Sequence, residues 1–117
     1  MSQPTAHLNP RQVAWLTTTV DCEPTAKALA AAGVGPRLAA CAQMESIHST
    51  YWWNGELQNS VEWRITWKTT PAQLPALQKA LQPLHPYDLP QWLHGQCDAS
   101  PAYAQWVSAE VTAPLQV

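Results

Sequence analysis

The feature that most constrains this chain is the dipeptide Asn54-Gly55, set between two long runs of strand-like sequence. Asn and Gly both tolerate positive φ, so the pair specifies a two-residue β-hairpin turn. Tyr51, Trp52 and Trp53 lead into it and Leu57 follows it. Beyond the turn, Val61, Trp63, Ile65 and Trp67 alternate with Glu62, Arg64, Thr66 and Lys68. A period of two puts the apolar set on one face, which has to be buried, and the polar set on the other. Both arms of the hairpin, residues 38–53 and 56–69, exceed the usual strand of about five or six residues.

The remaining segments fit around that hairpin. Residues 13–19 are a short apolar and β-branched run, predicting a buried strand. A helix is predicted over 21–32, with Asp21 as its cap and Pro24 in its first turn; Ala26, Leu29, Ala30 and Gly33 form a small-residue face. Gly33, Gly35 and Pro36 are expected to end it. Thr70 and Pro71 open a second helix in which Leu74, Leu77, Ala80, Leu81 and Leu84 recur at helical spacing. Pro86 and Pro90 then force extended backbone. Residues 91–97 read as a short strand, and Ser100-Pro101 caps a last helix. Glu110 to Thr112 reads as a final strand. The order is β-α-β-β-α-β. Its economical packing is an α+β, ferredoxin-like antiparallel sheet with two helices on one face, a long central hairpin and a C-terminal helix and strand appendix. Residues 1–12 read as a flexible leader and 13–117 as one domain.

Two helices of about a dozen residues cover only a central patch of such a sheet. The tip around Tyr51, Trp52, Trp53 and Leu57 overhangs it. Either the appendix helix folds back over the tip, or the tip is an interface. Composition favours the interface: 12% of residues are charged and 46% hydrophobic, whereas globular chains carry about 25% charged residues. The formal net charge of −2 gives no electrostatic footprint for nucleic acid or an anionic membrane. Three widely spaced cysteines without CxxC spacing exclude a disulfide scaffold and a zinc knuckle. No signal peptide or membrane-length apolar run is evident, so a soluble cytoplasmic protein is expected.

Several motifs recur together in one order. They are Leu38-Ala39-Ala40-Cys41, Tyr51-x-Trp53-x-Gly55, Glu62, Lys68-Thr69, His85-Pro86-Tyr87-x-x-Pro90 and Tyr103-x-x-Trp106. In this set the chain resembles the CutA divalent-cation tolerance family over roughly residues 13–110. The resemblance implies a ferredoxin-like subunit in a homotrimer, with Tyr51, Trp52, Trp53 and Leu57 in an arm laid against a neighbouring copy. It also implies a role in tolerance of divalent ions such as copper. Val20, Gln43 and Gln91 depart from the family pattern. Where members with a proposed copper site have a Cys and a His-His pair, this chain has Thr17 and Leu84, leaving His85 as the candidate metal ligand.

One imidazole is not a transition-metal site, which needs several converging N or S ligands. Cys41, Cys97, His48 and His94 lack ligand spacing, and surface or interface histidines are the competing reading. Glu62 and Lys68 share the polar face and, with His85, Tyr87 and Trp53, are candidates to line an inter-subunit cleft for a small anion, a polar metabolite or a metal ion. The competing reading is a polar network that fixes trimer register. A Cys41–His85 nucleophile–base pair is a further candidate, weakened by the apolar context of Cys41. No phosphate loop, nucleophile elbow or carboxylate pair points to an enzyme. From another class, an RRM-like domain binding single-stranded RNA has the same element order and displays aromatics on its sheet. Against it stand the acidic charge and a stripe, Trp63 and Trp67, expected beneath the helices.

Overall fold

The computed structural model describes residues 11–111. The hairpin forms as its turn dictates: Asn54 and Gly55 take φ of 52° and 76°, the two positive values that match the right-handed twist of the flanking strands. It joins β2 (Cys41–Trp53) to β3 (Glu56–Thr69). The two strands pair without a break from Trp53–Glu56 to Cys41–Lys68. β1 (Gln12–Val20) lies on the other side of β3, and β4 (Leu93–Asp98) lies beside β1. The result is a four-stranded antiparallel sheet in the order β2-β3-β1-β4. This is the ferredoxin-like α+β arrangement expected from the element order.

Helices α1 (Glu23–Val34) and α2 (Leu74–Leu81) cover one face. Leu16, Val20, Ala26, Leu29, Ile65, Trp67, Leu77 and Leu81 meet there in one buried cluster. Gly33 does not end α1 as its sequence context predicts. A Cβ at that position would stand 2.6 Å from Trp67 Nε1, so the missing side chain makes room for the fully buried indole and the helix runs on to Val34. Cys22, rather than Asp21, occupies the N-cap of α1, with no side-chain cap bond. Thr70 Oγ1 accepts from the Gln73 N–H at 3.2 Å, capping a preliminary turn ahead of α2. A 3-10 turn, Gln82–Leu84, follows α2 and leaves Leu84 exposed rather than in the core.

Among the described residues, the opposite face is covered at one end only. α3 (Pro101–Glu110), capped by Ser100 Oγ as predicted, packs Ala104 and Val107 on Val13. Arg37 pairs with Glu110 at 3.1 Å. Glu110 is therefore helical and not the start of a strand; Thr112, and the leader up to residue 10, lie outside the described residues, while Gln12 already pairs in β1. Because α3 sits at the Val13 end of the sheet, it does not reach the hairpin tip, on the order of 40 Å away along β3. β1 stops pairing at Val20–Trp63, and everything from Glu56 to Glu62 projects past it. That is why Val61, predicted to join the buried stripe, is exposed, as are Trp52, Trp53 and Leu57. No helix among the described residues is long and apolar enough to cross a membrane.

Candidate ligand cleft at the root of the hairpin

The segment between the 3-10 turn and β4 carries the most specific chemistry. Its prolines deny it helical hydrogen bonds, so His85 and Tyr87 supply the anchors. The His85 ring lies against the helix-covered face of the sheet. Its Nε2 is 2.8 Å from Thr18 Oγ1, and its Nδ1 accepts the Tyr87 backbone N–H at 3.1 Å. An N–H donor at Nδ1 fixes the neutral tautomer with the proton on Nε2, which donates to the threonine. Tyr87 and Trp92 pack edge-on against the ring at 5.2 and 5.3 Å. Burial lowers the His85 pKa below its ordinary value, and a hydrogen bond with the Thr19 backbone opposes that shift.

Tyr87 carries the connection to the other side. Its phenol donates to Glu62 Oε2 at 3.1 Å. Burial first, then the charge and hydrogen bonding of Glu62, push its pKa far above the usual range, so the phenol stays protonated. Glu62 and Tyr87 form a wall of an open concavity of about 880 Å³, to which Trp53 and Tyr51 contribute from the hairpin. Asp21, Asp88 and Arg64 also line it. Arg64 is held by Glu45 at 2.9 Å, so the carboxylates of Asp21, Glu62 and Asp88 set the sign of the wall.

Of the residues predicted to share a cleft, the chain brings together Glu62, Tyr87 and Trp53, with His85 directly behind Tyr87. It does not bring Lys68. That lysine is on the same strand face as Glu62 but about 20 Å along β3, where it donates to Gln43 Oε1 at 2.9 Å and pairs across from Cys41. Asp21 and Asp88 escaped sequence reasoning. Asp21 reads in sequence as a helix cap, and the signal for Asp88 is its place between Pro86 and Pro90 in a segment denied regular structure.

The donor set does not fit a resident copper ion. Both nitrogens of His85 are committed. Thr17 spends its hydroxyl on the Ile65 carbonyl and on Thr66, at 2.8 and 2.9 Å. Cys41 and Cys97 stand on opposite outer strands, and Cys41 Sγ contacts the Tyr103 hydroxyl at 3.6 Å. Burial, followed by that contact, raises the Tyr103 pKa to about 12. Among the described residues, no three His, Cys, Asp or Glu side chains form a metal-ligating group. The nucleophile–base pairing also fails geometrically, since Cys41 lies on the α3 side of the sheet and His85 on the α1–α2 side. For an RRM-like surface the aromatics point the wrong way: Trp67 is fully buried under the helices, and Glu62, Arg64, Thr66 and Lys68 occupy the other face.

Comparison with known proteins agrees with this architecture. The family described as CutA1 divalent ion tolerance protein matches residues 14–110. The divalent-cation tolerance protein CutA of Citrobacter koseri is 36% identical over 108 residues, which span 87% of this chain and 90% of that protein. Its counterpart from Escherichia coli is 36% identical over 109 residues, spanning 88% and 93%. Among solved structures, CutA from Synechococcus elongatus superposes with a TM-score of 0.82 at 39% identity, covering 87% of this chain and 92% of its own. The divalent cation tolerance protein of Thermus thermophilus gives 0.78 at 29% identity, covering 86% and 99%. With fold, motif order and extent all in agreement, the chain belongs to the CutA divalent-cation tolerance family.

Proposed function

We propose that this CutA-family chain works as a cytoplasmic homotrimer, a binding or scaffolding module in the response to divalent metal ions, copper included, and not as an enzyme. The observation that carries the reading is the uncovered apolar hairpin: Trp52 is 72% exposed, Leu57 55% and Trp53 51%. That much contiguous aromatic and aliphatic surface on a projecting arm needs a partner, and a second and third copy supply one through a closed, symmetric contact. The arm would lie along a neighbour and bring the concavity at its root against that neighbour. Glu62, Tyr87, Trp53 and, behind them, His85 then form one wall of a cleft between subunits.

The charge of this wall supports a cationic ligand. A small anion would depend on a lysine from another copy, because the subunit's own Lys68 is remote from its cleft. Metal tolerance on this reading comes through the assembly and its cleft, not through a metal held by His85. Native mass spectrometry of the untagged protein at low micromolar concentration tests the assembly. A species at three times 12.9 kDa is expected; a lone monomer refutes it.

A further inference from the structure

His85 touches both the folded core, through Thr18, and the cleft wall, through Tyr87. Each of its hydrogen bonds has a definite direction. Nε2 is joined to β1 through Thr18, and Nδ1 holds the backbone N–H of Tyr87, two residues on. The Tyr87 phenol, 5.2 Å from the imidazole ring by centroids, reaches round to Glu62 on β3. A chain of three bonds thus runs from the centre of the sheet to the cleft: Thr18 to His85, His85 to the Tyr87 backbone, Tyr87 to Glu62. Pro86 sits inside it and Pro90 beyond it, so few other backbone bonds are open to this segment.

We propose that His85 is a positioning residue, a clasp that fixes the Tyr87–Glu62 wall only while its imidazole is neutral, and not a metal ligand. A proton on Nδ1 would face the Tyr87 N–H, donor against donor, and the bond would be lost. The proton comes from solvent and no covalent bond changes. The groups around the ring do little for the positive charge that a second proton brings, the Thr19 backbone alone favouring it. From β1 it meets the Thr18 hydroxyl and the Thr19 backbone; from its own segment it meets the Tyr87 phenol and the Trp92 indole. The regional carboxylates, Glu62 on β3 and Asp21 just after β1, act on the Tyr87 phenol. Acidification therefore frees residues 86–88 and lets Tyr87 leave Glu62, exposing the carboxylate to the concavity. The consequence for a ligand rests on reading this concavity as the cleft; the clasp itself does not.

The test is a pH titration of isotopically labelled wild-type protein by NMR, from pH 7.5 downward, reading the His85 ring nitrogens and the Tyr87 amide. At pH 7.5 the expected ring pattern is the Nε2–H tautomer. The Tyr87 amide protection factor should fall by about tenfold, the scale of one lost hydrogen bond, with the same midpoint as the imidazole, while the Ile65 amide stays protected. His85→Asn keeps an acceptor near the Nδ1 position and should make Tyr87 protection insensitive to pH; if that variant does not fold, the wild-type titration still decides. Three results overturn the proposal: an Nδ1–H tautomer at pH 7.5, Tyr87 protection that ignores the imidazole midpoint, or displacement of the His85 ring signals by one equivalent of Zn²⁺. Native mass spectra at both ends of the titration report the trimer separately, so failure of the assembly and failure of the clasp are distinguishable.

Discussion

Truncating Trp53 to alanine removes an aromatic anchor beside the arm's turn, and the size of the effect follows from its exposure. A tryptophan presents up to about 250 Å², and 51% of this one is exposed in the single chain. Roughly 125 Å² therefore remains for a partner to cover, worth about 3 kcal/mol at ~25 cal/mol per Å² if fully buried. Imperfect coverage at a rim brings this to about 2–3 kcal/mol, on the order of 30- to 150-fold in the dissociation constant of each arm. The subunit itself should barely notice, because the covered half of the ring meets an open concavity and not the core cluster. Sedimentation velocity over a dilution series reads the effect directly. Wild type should remain assembled at concentrations where Trp53→Ala has dissociated, while far-UV circular dichroism is unchanged. If Trp53→Ala sediments like wild type throughout the series, the arm does not hold the assembly and the reasoning from exposure to interface is wrong.

Other perturbations probe the remaining links. Gly33→Ala places a methyl 2.6 Å from Trp67 Nε1 and 3.0 Å from Leu77 Cδ1. Overpacking of about 1–3 kcal/mol should outweigh the helix-propensity gain of up to ~1, so thermal melting should drop by several degrees; a rise refutes the close fit. Gly55→Ala meets no atom within 4 Å but must hold φ near 76°, and should cost about 1 kcal/mol in urea unfolding. Tyr87→Phe deletes the phenol–Glu62 bond at a partly exposed site and should cost about 0.5–1 kcal/mol by the same assay. For pH, the lowered pKa of His85 means that folding favours the neutral ring. The stability this contributes is complete above the ordinary value of 6.5 and is lost as pH falls from there through the lowered folded value. Urea midpoints at pH 7.5 and 5.5 should show that loss in wild type and a smaller one in His85→Asn.

What was legible in the sequence was whatever depends on local rules. Asn54-Gly55 specified its own turn, the alternation from Glu62 to Lys68 assigned each residue to its face, and Ser100-Pro101 opened α3 as it should. Gly33 misled because the reason for its presence lies across the core, in an indole that no window around residue 33 contains. Val61 misled for a related cause: a period of two says which face a residue shares, but not how far the covering helices extend. The cleft was half legible. Glu62 and Tyr87 belong to recognisable motifs, whereas their partnership, with Asp21 and Asp88 beside them, arises where a proline-bound loop meets the root of a hairpin more than twenty residues earlier in the chain. Lys68 shares a strand face with Glu62, yet distance along the strand separates what the alternation groups together.

The position of α3 has a kinetic consequence. The hairpin is built from neighbours in sequence and closes within microseconds, as such elements do, and the helices on the far face need no partner chain to pack. Folding of the subunit is therefore first order, but concealment of Trp52 and Leu57 is second order in chain concentration on the trimer reading. Among the described residues β2 is an outer strand of the sheet along its whole length, so on that pairing a newly folded copy carries a long open ladder beside its aromatic tip. At low expression such copies wait for one another with that ladder open; at high expression the correct encounter competes with indiscriminate strand addition. Yield of assembled protein should then pass through a maximum with synthesis rate, a signature that belongs to the arm and not to the core.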